Sequence, residues 1–130
     1  MNRFVIIFLL MSFLLVSCDN RQTKSLLQDV ETYIQERPDS ALRVLRSVDP
    51  LMLNTKSLHA RYSLLFAMAL DKNYIDTTDV SVVMPAVNYY KRHGNPDERL
   101  KAYFYLGRIY LNNKRYDKAA VAYSLAEKEA

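Results

Sequence analysis

Tyr103-Phe104-Tyr105-Leu106-Gly107-Arg108-Ile109-Tyr110, followed after a short break by Ala119-Ala120-Val121-Ala122-Tyr123-Ser124-Leu125-Ala126, is the stretch that decides the fold. Tyr103, Leu106, Gly107 and Tyr110 recur at three- and four-residue steps, the period of one helix face. Ala119, Tyr123 and Ala126 do the same, and Asn113-Lys114 between the two runs predicts a turn. Two helices in a hairpin follow. Gly107 is the informative residue, because a glycine inside a helix costs about 1 kcal/mol relative to alanine. It has a reason to be there if a second helix passes so close that any side chain would push the pair apart. Ala119 and Ala126 are then the small partners, while Tyr103, Tyr110 and Tyr123 fill the wider gaps around them.

Working outward, Asn95-Pro96-Asp97-Glu98 supplies a helix start: a cap, proline at the first position, and an acid three residues after the cap. Leu26, Leu27, Val30, Tyr33 and Ile34 predict a first helix that stops before Pro38. Asp39 or Ser40 is expected to cap a second, carrying Ala41, Leu42, Leu45 and Val48. Asn54 is expected to cap a third, with Leu58, Tyr62, Leu65, Phe66 and Ala69 on one face. Residues 71–80 form the one long turn-like stretch. A fourth helix faces Val83, Ala86, Tyr89 and Tyr90 inward, with Pro85 in its first turn. Lys91, Arg92 and His93 suit its negative end, and Gly94 is expected as a left-handed stop. Six helices in three hairpins result.

The pattern in the last hairpin resembles the tetratricopeptide repeat, a unit of about 34 residues. Tyr103, Leu106, Gly107, Tyr110, Ala119, Tyr123 and Ala126 occupy its signature positions, with tyrosine standing for tryptophan and phenylalanine. The resemblance implies an all-α fold, antiparallel hairpins stacked as a short right-handed solenoid over residues 26–130, with the best-matched repeat at about 97–130. A plain antiparallel bundle with an incidental glycine is the alternative. Earlier hairpins echo the theme: Tyr62-x2-Leu65-Phe66 parallels Tyr103-x2-Leu106-Gly107, Ala86-x3-Tyr90 parallels Ala119-x3-Tyr123, and Asp39-x-Ala41-x3-Leu45 parallels Asp117-x-Ala119-x3-Tyr123. Phe66 stands at the glycine's place, a departure that bears on the spacing of the middle helices.

The N-terminus reads as an address. Arg3 precedes an apolar run from Phe4 to Val16 broken only by Ser12. That is the length of a signal-peptide core and short of the ~20 apolar residues of a spanning helix. Leu15-Val16-Ser17-Cys18 resembles the lipobox of bacterial lipoproteins. The resemblance implies removal of residues 1–17, including a signal-peptide helix, and a diacylglycerol on the Cys18 sulfur. An ordinary secretory signal with a free thiol is the alternative. Residues 18–25 are expected to form a polar lipidated tether. The chain would then sit in the cell envelope, outside the cytoplasm, on the inner or the outer membrane.

Pro38-Asp39-Ser40-Ala41-Leu42 and Ala69-Leu70-Asp71-Lys72-Asn73-Tyr74-Ile75-Asp76 extend the likeness to the N-terminal region of tetratricopeptide lipoproteins of Gram-negative, Bacteroidota-like bacteria. More repeats usually follow in such proteins. No polar capping helix follows Ala126, so either a longer protein or a short self-contained one fits.

Composition narrows the chemistry. Two glycines rule out a phosphate-cradling glycine loop, and one cysteine rules out an intramolecular disulfide or a cysteine-based zinc site. The net charge of +4 is spread among interleaved acids, without a basic block that would track nucleic acid. His59 and His93 sit among polar residues near helix ends. Asp71, Asp76 and Asp79 lack the spacing and glycine of a calcium loop. No catalytic residues, metal or cofactor are expected beyond the covalent lipid, and no small-molecule substrate.

What remains is a surface. Lys101, Phe104, Arg108, Leu111 and Asn112 recur beside the core stripe of the fifth helix, and the resemblance places such positions on a concave groove. An aromatic, an aliphatic and two cations suit an extended acidic peptide; alternatively, Phe104 and Leu111 pack on the preceding hairpin. The expected function is a membrane-anchored scaffold for protein or peptide binding. The alternative is the extracytoplasmic sensory or regulatory input region of a longer signalling protein.

Overall fold

The computed structural model describes residues 2–7 and 20–130 in full and, for residues 8–19, the backbone alone; the lipobox-like Leu15–Cys18 lies outside the fully described residues. Among the described residues there are six α-helices, two single-turn 3-10 helices and no strand. The α-helices are α1 (Asn2–Tyr33), α2 (Pro38–Arg46), α3 (Lys56–Lys72), α4 (Met84–His93), α5 (Pro96–Asn112) and α6 (Tyr116–Glu127). Pro50–Met52 and Val80–Val82 are the 3-10 turns that lead into α3 and α4. No helix among the described residues is long and apolar enough to cross a membrane.

The order of contacts explains the layout. Each helix packs on the next, and α3 also packs on both α1 and α5, while among the described residues α1 and α6 do not touch. α3 therefore lies at the centre. Its stripe is wider than Leu58, Leu65 and Ala69, because Ala60, Ser63, Leu64, Ala67, Met68 and Leu70 are buried as well. Buried Ser63 donates its hydroxyl to the Val82 carbonyl, which satisfies the one polar side chain in this wall.

α1 begins earlier than its apolar stripe suggested. Residues 20–25, expected as a polar tether, are helical, and Thr23 is buried in line with Leu27, Val30 and Ile34. The period starts one turn sooner because Thr23 takes an inward position four residues before Leu27. Leu26 falls off that stripe and is exposed. At the far end Phe4, Val5, Ile6 and Ile7 are exposed.

Helix ends follow local chemistry, with three corrections. α5 has the full reciprocal cap: Glu98 N–H donates to Asn95 Oδ1 at 2.8 Å, and Asn95 N–H to Glu98 Oε1 at 3.0 Å. α3 is capped by Thr55 rather than Asn54, the Leu58 N–H donating to Thr55 Oγ1 at 3.1 Å. α2 starts at Pro38 without a side-chain cap, leaving Asp39 in its first turn. Proline's fixed φ and missing donor let it open the helix before either candidate cap is reached.

Gly94 is the third correction. Its backbone is extended (φ −85°, ψ 161°), not left-handed, because α5 starts two residues later and the chain must leave α4 straight. Glycine is needed there for room: a Cβ would stand 2.7 Å from the Tyr90 carbonyl oxygen. The left-handed residues are Tyr74 (φ 59°) and Lys114 (φ 57°). Both close the same motif at the ends of α3 and α5. Ile75 N–H donates to Leu70 O at 3.0 Å and Tyr74 N–H to Asp71 O at 3.0 Å; Arg115 N–H donates to Tyr110 O at 2.8 Å and Lys114 N–H to Leu111 O at 3.0 Å.

Candidate partner-binding face

The last hairpin is built around Gly107. The residue is buried, and an added Cβ would meet the Tyr123 ring at 2.7 Å (Cε1), 2.8 Å (Cδ1) and 3.0 Å (Cζ). The missing side chain is thus occupied by a ring from α6. Leu106, Ala119 and Ala126 are buried beside it, and Tyr103, Tyr110 and Tyr123 are half-buried. Equivalent small positions in the earlier hairpins, Ala41 and Ala86, are also buried, as are Leu45 and Tyr90 four residues on.

The glycine's counterpart in the middle hairpin differs from the one read in the sequence. α3 and α5 are both 17 residues long, and counting from their starts places buried Ala67, not Phe66, level with Gly107. Phe66 stacks instead on Tyr62, with ring centroids 5.6 Å apart.

The five groove candidates divide into two kinds. Phe104 and Leu111 are 39 % and 38 % exposed. Phe104 leans on Tyr105 (5.1 Å between centroids) and on Tyr123 of α6 (5.8 Å). The other three already have partners. Lys101 Nζ bonds Asp97 Oδ2 at 2.7 Å along the same helix, a solvent-exposed pair of little energetic weight. Arg108 Nε donates to Asp71 Oδ1 at 2.9 Å. Asn112 Nδ2 donates to the Thr77 carbonyl at 3.1 Å. Arg108 and Asn112 thereby fasten residues 71–77 to α5 and leave a strip with an aromatic and an aliphatic side chain open.

Nothing matches. No protein-family model fits the chain, and no curated protein or solved structure shows significant similarity to it. Functional reading therefore rests on the chain's own chemistry.

Asp71, Asp76 and Asp79 do not converge. Asp71 holds Arg108, while the Ser81 side chain and then its N–H, 2.9 Å from Asp79 Oδ1, draw the Asp79 carboxyl below the usual range. Among the described residues no three His, Cys, Asp or Glu side chains gather as metal ligands. A feature that the sequence reading did not locate lies on the outer side of the hairpin. There Leu106, Tyr110, Val121, Ala122 and Leu125 line an open apolar groove of about 330 Å³. Val121 and Leu125 mark it in the sequence as apolar residues off the Ala119–Tyr123–Ala126 stripe.

Tyr105 adds a measurable property. Burial, and then the charge of Asp71, push its hydroxyl up to about 12, against 10 in an unfolded chain. Between those values the unfolded chain has lost a proton that the folded protein keeps, so stability falls as pH rises. Buried Tyr90 is raised for the same first reason and acts in the same direction. From neutral pH upward, urea denaturation should show these tyrosines costing nothing until about pH 10, then a loss of roughly 1.4 kcal/mol per pH unit for each. Tyr105→Phe should make that slope shallower; an unchanged slope would refute the assignment.

Proposed function

We propose that the chain is a lipid-anchored envelope protein whose hairpins stack as a short right-handed solenoid of the tetratricopeptide kind, and that it binds a protein or peptide rather than catalysing a reaction. The observation that carries this reading is the Tyr123 ring seated on side-chain-less Gly107, at the spacing the repeat requires. The contacts of α3 with α1 and α5 support it, because in a stack of hairpins each first helix leans on the next first helix. Phe104 and Leu111 on α5 are the surface offered to the partner, with Lys101 at its edge. Cys18 carries the lipid, which holds the protein at a membrane outside the cytoplasm.

Labelled fatty acid fed to producing cells should enter the wild-type chain and not Cys18→Ala; label in the variant would refute the anchor. Photo-crosslinking residues at positions 104 and 111 should capture one common envelope protein in intact cells. The same residue at position 127, on the other helix, should capture none. Equal yields from all three positions would refute the assigned face.

A further inference from the structure

A groove of about 500 Å³ opens between the start of α3 and the end of α4, with Lys56, His59, Lys91, Arg92 and His93 around Tyr89. No acidic side chain lines it. Lys56, Lys91 and Arg92 are exposed, and among the described residues none of the three forms an ion pair. Nearby acids are already engaged. Glu31 is held by Arg61 at 2.7 Å, Asp97 by Lys101 at 2.7 Å and Glu129 by Arg99 at 2.9 Å, while Glu98 closes the cap of α5. The cations of the groove are therefore left for something outside the chain.

Its place in the fold says what that is. A smaller groove alongside brings Asn20 and Lys24 of α1 against Thr55, Ser57 and Arg61 of α3. The start of α3 thus lies beside the first residues that follow Cys18, and with it the cationic groove lies at the end of the molecule where the lipid would attach. An acidic peptide has no such reason to be at this end, whereas an anionic leaflet would be held there by the anchor.

We propose that this groove receives the phosphate headgroups of the bilayer that tethers the chain, so that the hairpin stack stands on the membrane with the Phe104–Leu111 strip left free. The proposal rests on the lipid-anchor reading for its orientation. A diacylglycerol alone would hold the chain at the bilayer, so the cationic groove would set how the stack is oriented on it. Each Lys or Arg brought against an anionic leaflet adds about fivefold to the affinity.

The test uses the full chain carrying Cys18→Ser, which removes acylation while leaving the groove intact. Binding is measured on vesicles of one-third phosphatidylglycerol in phosphatidylcholine and on phosphatidylcholine alone. Lys56→Gln, Lys91→Gln and Arg92→Gln together should weaken binding to the anionic vesicles on the order of a hundredfold. On phosphatidylcholine, where the apolar segment 4–16 acts alike in both chains, the two should match. A Lys56→Arg, Lys91→Arg chain should behave as the unsubstituted one, and matched thermal melting checks that all fold. Equal binding of the Gln variant to both kinds of vesicle as the parent would overturn the proposal. Release from anionic vesicles by millimolar inorganic phosphate would overturn it too, by making the groove a site for a free anion. Failure of fatty-acid labelling at Cys18 would strike the anchor alone, since the vesicle measurement contains no acyl group.

Discussion

Gly107→Leu should destabilise the protein by roughly 1–3 kcal/mol, the usual cost of forcing a large side chain into a filled contact. For a domain of this size that corresponds to a fall in Tm of very roughly 5–20 °C. The reason is specific: the space a side chain would enter already holds the Tyr123 ring, 2.7 Å from the ideal Cβ. The ring is hemmed in on another side by Phe104, whose ring centroid lies 5.8 Å away. Gly107→Ala sets a gain of about 1 kcal/mol in helix propensity against the same contact, so its loss should be smaller. Thermal melting by circular dichroism measures both, and an unaltered Tm for the leucine variant would remove the close crossing from the account of the fold.

Leu27→Ala should have the larger effect, on the order of 2–5 kcal/mol. Leu27 is 0 % exposed and belongs to the same core as Leu45, Leu58 and Leu65. It lies only nine residues after Cys18. A large loss on urea denaturation would show that the helix around Leu27 belongs to the packed core. A loss under about 0.5 kcal/mol, the range of surface substitutions, would take it out of that core.

The parts of the fold that local chemistry determines were legible in the sequence. The cap at Asn95–Glu98 and the end of α5 at Asn112 follow from residues within a few positions of one another, and Gly107 against the Tyr123 ring follows from the spacing of one hairpin. What depended on distant partners was not. α3 is buried around most of its circumference because α1, α2, α4 and α5 surround it, and no single stripe encodes four neighbours. Gly94 departs from the expected left-handed stop because glycine serves two purposes, a left-handed backbone and lack of bulk, and only the second applies there. The left-handed turns fell on Tyr74 and Lys114, residue types that do not announce them.

The candidate face shows the same divide. Helical spacing places Phe104 and Leu111 on one face of α5, and both are partly exposed there. That Arg108 and Asn112 grip Asp71 and Thr77 could not be read, since those partners come from the preceding hairpin and no local pattern joins them.

The central position of α3 sets how damage travels. A fault in α6, which among the described residues packs on α5 alone, would stay at the periphery, and the rest of the molecule could tolerate it. A fault in α3 would loosen four adjoining helices together, so the middle of the chain is the keystone and its last helix the most replaceable member.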